Sequence, residues 1–216
     1  MLSTGNVDEV RVKVVILLVL LLTGGSVAAQ DGLYAPAVPE DAALVRVINA
    51  TAETVSLDVG PLRFSDVAPS TATAYRPLLA DVLVVSHDGA REVITAKERS
   101  FLSLVLRPGG MHVIEDERHT DPARAQLVLY NLSSSPVSLR AIDADATIIP
   151  AVGPGESGTR VVNAVSVSLG AYTDDEQLVV TEVDLERGES YTLVVVGAAA
   201  DDETAGFLVQ ASVVSE

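Results

Sequence analysis

Residues 151–171 read AVGPGESGTRVVNAVSVSLGA. Gly153, Gly155 and Gly158 form G-x-G-x-x-G, and Asp175 lies downstream at about the distance of a ribose-contacting acid. A dinucleotide turn must open a helix whose N-terminus receives the pyrophosphate. Here the turn is followed by TRVVNAVSVSL, which is rich in β-branched residues and alternates apolar with polar. Such a run specifies a strand. Glu156 would also set a negative charge inside the phosphate cradle. The glycines and Pro154 therefore make a turn between strands, and the nucleotide reading falls away.

The same alternation continues outward in both directions. VSLDV (Val55–Val59) points Val55, Leu57 and Val59 to one face, and Val165, Val167, Leu169 and Ala171 repeat the pattern. FLVQASV (Phe207–Val213) does so again, while helical periodicity is nearly missing after residue 30. One-sided strands separated by Gly, Pro, Ser and Asp turns predict antiparallel β-sandwiches.

An internal repeat sets their number. LVRVINATAETVSL (Leu44–Leu57) aligns with QLVLYNLSSSPVSL (Gln126–Leu139), pairing Asn49 with Asn131 at an offset of 82. VAPST (Val67–Thr71) aligns with VGPGE (Val152–Glu156) at 85, and SFLSLVL (Ser100–Leu106) with SYTLVVV (Ser190–Val196) at 90. The expected architecture is all-β, two tandem antiparallel β-sandwich domains over 43–114 and 126–216. Residues 115–125, polar and Pro-containing, are the expected linker, and 30–42 an extended lead-in.

The N-terminus carries Arg11 and Lys13, the apolar run Val14–Leu22, and a small-residue exit with Val27 and Ala29 at the −3 and −1 positions. That is the pattern of a signal peptide, residues 1–29, cleaved after Ala29, with an uncleaved N-terminal anchor as the alternative. Export and the absence of cysteine favour the bacterial periplasm, with a fold that rests on apolar burial alone. The sequons at Asn49 and Asn131 belong to the repeated strand-end pattern.

The net charge is −16, and Lys97 is the one lysine beyond the leader. Such a chain repels nucleic acid, anionic lipid and polyanionic polysaccharide at long range. Asp116-Glu117-Arg118-His119 is a D-x-x-H, the spacing with which SGNH-type esterases orient their base, but no G-D-S serine block accompanies it. Ser86-His87-Asp88 sets triad residue types side by side, where a strand sends neighbours to opposite faces, so SHDG reads as a turn tip. The acid clusters Thr173–Glu176 and Ala200–Glu203 lack EF-hand spacing and read as loop tips. There is no Trp for sugar stacking. Phe101, Tyr130, Tyr191 and Phe207 fall in strands and are expected in cores, leaving Tyr34 and Tyr75 as the freest aromatics. No residue is singled out as catalytic, cofactor-binding or metal-binding.

Four stretches carry a family resemblance: GLYAPAVPEDAALVRVINA (Gly32–Ala50), FSDVAPSTA (Phe64–Ala72), LVLYNLSSSPVSL (Leu127–Leu139) and VGPGESGTRVVNAVSVSLGAY (Val152–Tyr172). In order and spacing they resemble the AlgF family of periplasmic alginate biosynthesis proteins. The resemblance implies a role in O-acetylation of a mannuronate-rich exopolysaccharide, as an accessory subunit and not an enzyme. Its implied partners are a membrane-bound O-acyltransferase and SGNH-like acetyltransferases, with at most indirect contact to polymannuronate. Two other readings stand beside it, an acetyl-relay enzyme using an activated Ser or His and a generic surface or adhesion module.

Overall fold

A computed structural model describes residues 39–79, 81–174, 176–196 and 205–211. The leader, Tyr34 and the Ala200–Glu203 cluster lie outside the described residues. Among the described residues every regular element is a strand. The first nine are β1 (Ala43–Asn49), β2 (Val55–Val59), β3 (Leu62–Val67), β4 (Thr71–Ala72), β5 (Arg76–Leu78), β6 (Asp81–His87), β7 (Ala90–Ala96), β8 (Phe101–Arg107) and β9 (Gly110–Asp116). Eight follow: β10 (Ala125–Leu132), β11 (Val137–Ala141), β12 (Ala146–Val152), β13 (Ser157–Val162), β14 (Ser166–Thr173), β15 (Glu176–Asp184), β16 (Ser190–Val196) and β17 (Ala205–Ala211). β9 runs on through Glu115 and Asp116, so residues 117–124 join the two halves.

Each half is a sandwich of two sheets. The first packs β4-β1-β8-β9, with β5 also on β1, against β3-β2-β6-β7. The second packs β13-β10-β16-β17 against β12-β11-β14-β15. Alternating inward residues make each core: Val45, Leu57, Phe64, Val85 and Leu104 in the first, Leu129, Leu139, Ile149, Leu169 and Leu193 in the second. The turns carry the chemistry their geometry needs. Asp88 and Gly89 both have positive φ (46° and 78°) at the tip of the β6–β7 hairpin, the requirement of a two-residue primed turn.

The duplication expected from the sequence is present, with two corrections. The sheets are not wholly antiparallel, because β1 pairs with β8 and β10 with β16 in parallel. The offset between SFLSLVL and SYTLVVV is 89, not 90. β1 sets Leu44 opposite Phe101, and β10 sets Gln126, its counterpart, opposite Ser190. Leu102, Leu104 and Leu106 then match Tyr191, Leu193 and Val195, and both sets face their own cores. A slip of one residue would have turned each set to the opposite face.

Those four strands depart from simple alternation. β1 and β10 are buried at every position, and β8 and β16 at nearly every one. The reason is a third core. Ile48, Val105 and Ile114 of the first sandwich pack against Val128, Tyr130, Leu132 and Val194 of the second. The inner sheet of each sandwich thus covers the inner sheet of the other, giving four layers. Parallel strands buried on both faces read as nearly continuous apolar runs.

Candidate functional site

Two Asn-centred turns close corresponding ends of the sandwiches, and the second also carries the glycines of residues 153–158. Asn49 ends β1 and is fully buried. Its Nδ2 donates to the carbonyls of Glu53 (2.7 Å) and Val67 (2.9 Å), and its Oδ1 accepts from the Thr51 amide (2.9 Å) and hydroxyl (2.7 Å). Asn131, also fully buried, donates to Ser135 and Val152 and accepts twice from Ser133. Both sequons are therefore consumed as internal hydrogen-bonding posts. The turn after Val152 continues as a strand, β13, so no helix follows it. Gly155 takes φ +78°, its carbonyl accepts from His112 Nε2 (2.7 Å) of the first sandwich, and Glu156 folds back onto the Gly153 amide (3.1 Å). Gly158 lies where a Cβ would stand 2.7 Å from methyls of Ile149 and Val152. The motif is a packing turn at the boundary between sandwiches. Asp175 lies outside the described residues.

Between the inner sheets sits a buried polar cluster. Arg46, 2% exposed, lies mid-β1 and points at the second sandwich. Its Nε donates to Ser103 Oγ (2.6 Å), and its Nη2 to Tyr130 OH and Thr192 Oγ1 (both 3.1 Å). The guanidinium also lies 4.7 Å from the centre of the Tyr75 ring and 4.0 Å from Asp116 Oδ2. Asp116 accepts from Tyr75 OH (2.6 Å), Ser103 Oγ (2.7 Å) and Tyr130 OH. Tyr75 in turn meets Phe101 edge to face, centroids 5.3 Å apart. One cation and one anion thus neutralise each other, and hydroxyls from both sandwiches bond to them, leaving Arg46 Nη1 without a hydrogen-bond acceptor.

Burial raises the phenol pKa of Tyr75 and of Tyr130 above the ordinary tyrosine range, Asp116 reinforces the shift, and Arg46 opposes it. Burial works against the Arg46 charge, yet Tyr130, Tyr75 and Asp116 together hold its pKa above the ordinary arginine range. Both tyrosines therefore stay neutral donors. Ser103 is fully buried and bonded to Arg46, Asp116 and Tyr130, with no imidazole among these partners. The arrangement suits an interface lock and does not present a nucleophile to a substrate.

The D-x-x-H and Ser-His-Asp stretches, read in the sequence as linker and turn tip, do not form relays. Asp116 enters this cluster, whereas His119 Nε2 bonds the Arg124 carbonyl (2.9 Å) in the connection, so D-x-x-H is not a relay. His87 meets Asp88 (3.3 Å), which strand alternation alone did not anticipate. Asp88 belongs to the turn, not the strand, and its positive φ brings its carboxylate back. The ring's other nitrogen contacts the Ser56 carbonyl at 3.2 Å. In the Thr173–Glu176 cluster, Asp174 is a turn residue whose carbonyl accepts from Arg140 (2.6 Å). Tyr75, expected to be free, is bound in the lock, and Tyr130 faces the interface instead of its own core. Tyr191 does lie in the second core, and Phe101 flanks the lock. Arg46, Ser103 and Thr192 were missed as site residues. The available signal was a lone arginine within the apolar run LVRVIN.

A family model described as Alginate O-acetyl transferase AlgF matches residues 17–192. The chain belongs to the AlgF family. It is 28% identical over 176 residues to the alginate biosynthesis protein AlgF of Pseudomonas syringae pv. tomato, covering 80% of this chain and 79% of that one. For AlgF of Pseudomonas aeruginosa the figures are 27% over 173 residues, 79% and 80%. AlgF of Azotobacter vinelandii is 26% identical over 185 residues, 83% and 85%. Among solved structures, the C-terminal domain of P. aeruginosa AlgF matches at 29% identity and TM-score 0.37, covering 41% of this chain and 98% of that one. Its N-terminal domain matches at 22% and 0.33, covering 37% and 98%. Membership in the AlgF family places the chain in alginate biosynthesis and O-acetylation.

Proposed function

We propose that this protein is a periplasmic adaptor in alginate O-acetylation, holding SGNH-like acetyltransferases near a membrane-bound O-acyltransferase, and that it performs no acetyl transfer itself. The observation that carries the reading is the environment of Ser103. This serine, paired with a carboxylate, is sealed between two sheets and oriented by Arg46 and Tyr130. A nucleophile must reach substrate, and Ser103, fully buried with its hydroxyl donated to Asp116, is closed off from one. The charge of −16 supports docking to basic protein surfaces over direct binding of a polyuronate. Export rests on the leader-like residues 1–29.

The test uses the purified chain and its purified SGNH-type acetyltransferase. Association by calorimetry, together with no mass gain of the chain after incubation with an acetyl donor, is the expected result. A stable acetyl adduct on a serine or histidine would instead establish the relay role, a reading kept in view by the acetyltransferase wording of the family description.

A further inference from the structure

The two copies of the fold differ at one open side. In the second sandwich, β15 closes against β17: a Cβ at Gly206 would come within 2.6 Å of a Val179 methyl. The register assigns counterparts in the first sandwich. Met111 stands opposite Leu106 as Gly206 stands opposite Val195, and Ala90 occupies the place of Val179. The large and small residues are thus exchanged, and the corresponding space is a cleft of about 740 Å³ lined by both Ala90 and Met111. Val55, Val85 and Leu106 also line it, and Glu53, Asp88 and Glu92 stand exposed around it against one arginine, Arg107.

The outer face beside the cleft differs in the same sense. Val82, Val84 and Val93 are 60%, 46% and 69% exposed on β6 and β7. Their register counterparts in the second sandwich are Ser166, Ser168 and Glu182. The fold therefore accepts polar residues at these places, and the valines are not required for its packing. Among the described residues β7 ends its sheet, with β6 as its hydrogen-bonded neighbour. An unpaired edge beside apolar residues is a template for an added strand.

We infer that the β7 edge and its adjoining cleft are the docking site for an extended segment of a basic partner protein, with apolar residues alternating along it and Lys or Arg at its flanks. The apolar lining receives the alternate side chains, the three carboxylates attract the cationic flanks, and the net charge of −16 disfavours a second copy as occupant. This site rests on the adaptor reading and gives it a surface.

The experiment measures the affinity of the purified SGNH-type acetyltransferase for the full chain and three variants. Ala90→Trp fills the cleft, and Glu92→Lys reverses charge at an exposed position that the fold does not need. Thr181→Lys introduces a lysine at the register counterpart of Glu92 in the second sandwich. The first two are expected to weaken binding at least about tenfold, and the third by less than about twofold. Unchanged affinity for both Ala90→Trp and Glu92→Lys, with the parent chain binding, overturns the docking site and leaves the adaptor reading standing. No binding by the parent chain overturns the adaptor reading and the site with it.

Discussion

Asn49 and Asn131, 82 residues apart in sequence, hold their sandwiches by the same four hydrogen bonds. Asn49 ends β1 and Asn131 is the penultimate residue of β10; each ties a following hydroxyl residue and reaches across to the valine carbonyl that ends a strand of the opposing sheet. A carboxamide is suited to this because it offers two donors and an acceptor with two lone pairs. Asn49→Ala strands the Val67 carbonyl in the interior and Asn131→Ala strands that of Val152. Each unsatisfied buried group costs about 1–3 kcal/mol. Urea denaturation should show each variant destabilised by about 2–4 kcal/mol. Asn→Asp should fare no better, because the carboxylate lacks the two donors.

The Arg46 lock is asymmetric although the scaffold is duplicated. The counterpart of Arg46 is Val128 and that of Tyr130 is Ile48, so the charges come from one sandwich and a key phenol from the other. Removing one member of a buried ion pair leaves the other charge uncompensated, at a cost of about 3–5 kcal/mol. Arg46→Ala should lower stability by that order, and Arg46→Met by less, because it fills the volume. Calorimetry of Arg46→Ala should also resolve the single unfolding transition into two, since this cluster and the third core couple the sandwiches. A single sharp transition with unchanged midpoint would refute the role of the lock.

Much of this arrangement was legible in the residues and some was not. β2 announced itself because only one of its faces is fully buried, and β14 because Val167, Leu169 and Ala171 alternate with Ser166, Ser168 and Gly170. β1, β8, β10 and β16 carry no comparable alternation, since a second sheet covers them, and that covering depends on contacts more than 80 residues apart. The same cause hid the register. Serine or threonine beside runs of Leu and Val aligns about equally well at 89 or 90, and only the parallel pairing with β1 and β10 separates them. The polar lock was invisible because its members are scattered from Arg46 to Thr192, and no local spacing links them.

Stability should respond to alkaline pH through Tyr75 and Tyr130. Their folded pKa values are raised by burial, next to an unfolded value of about 10. A raised pKa means the folded state holds the proton more tightly than the unfolded chain. The stabilisation is then fully present below pH ~10 and is lost as pH rises through the folded values. Spectrophotometric titration should show these two phenols ionising only with unfolding. Tyr75→Phe with Tyr130→Phe should flatten the decline in midpoint temperature above pH ~10, whatever it does to stability at neutral pH.

Gly158, the last glycine of the nucleotide-like motif, should behave as a packing residue. It opens onto β-branched side chains of the same sandwich, with Cβ distances of 2.7 Å to both Ile149 and Val152 methyls. Such a contact cannot be relieved by swinging a flexible chain end, because these side chains are stiff at χ1. Overpacking of this kind costs about 1–3 kcal/mol. Gly158→Ala should therefore destabilise the second sandwich by that amount in urea denaturation. Pairing it with Ile149→Val should recover little, because valine keeps the γ-methyl that makes the contact and the Val152 contact remains, whereas Val152→Ala with Ile149→Ala should remove the clash at the expense of core volume. The Gly158→Ala chain at low temperature, where it stays folded, should bind the acetyltransferase with parental affinity. A glycine that served a ligand would lose binding before it lost stability.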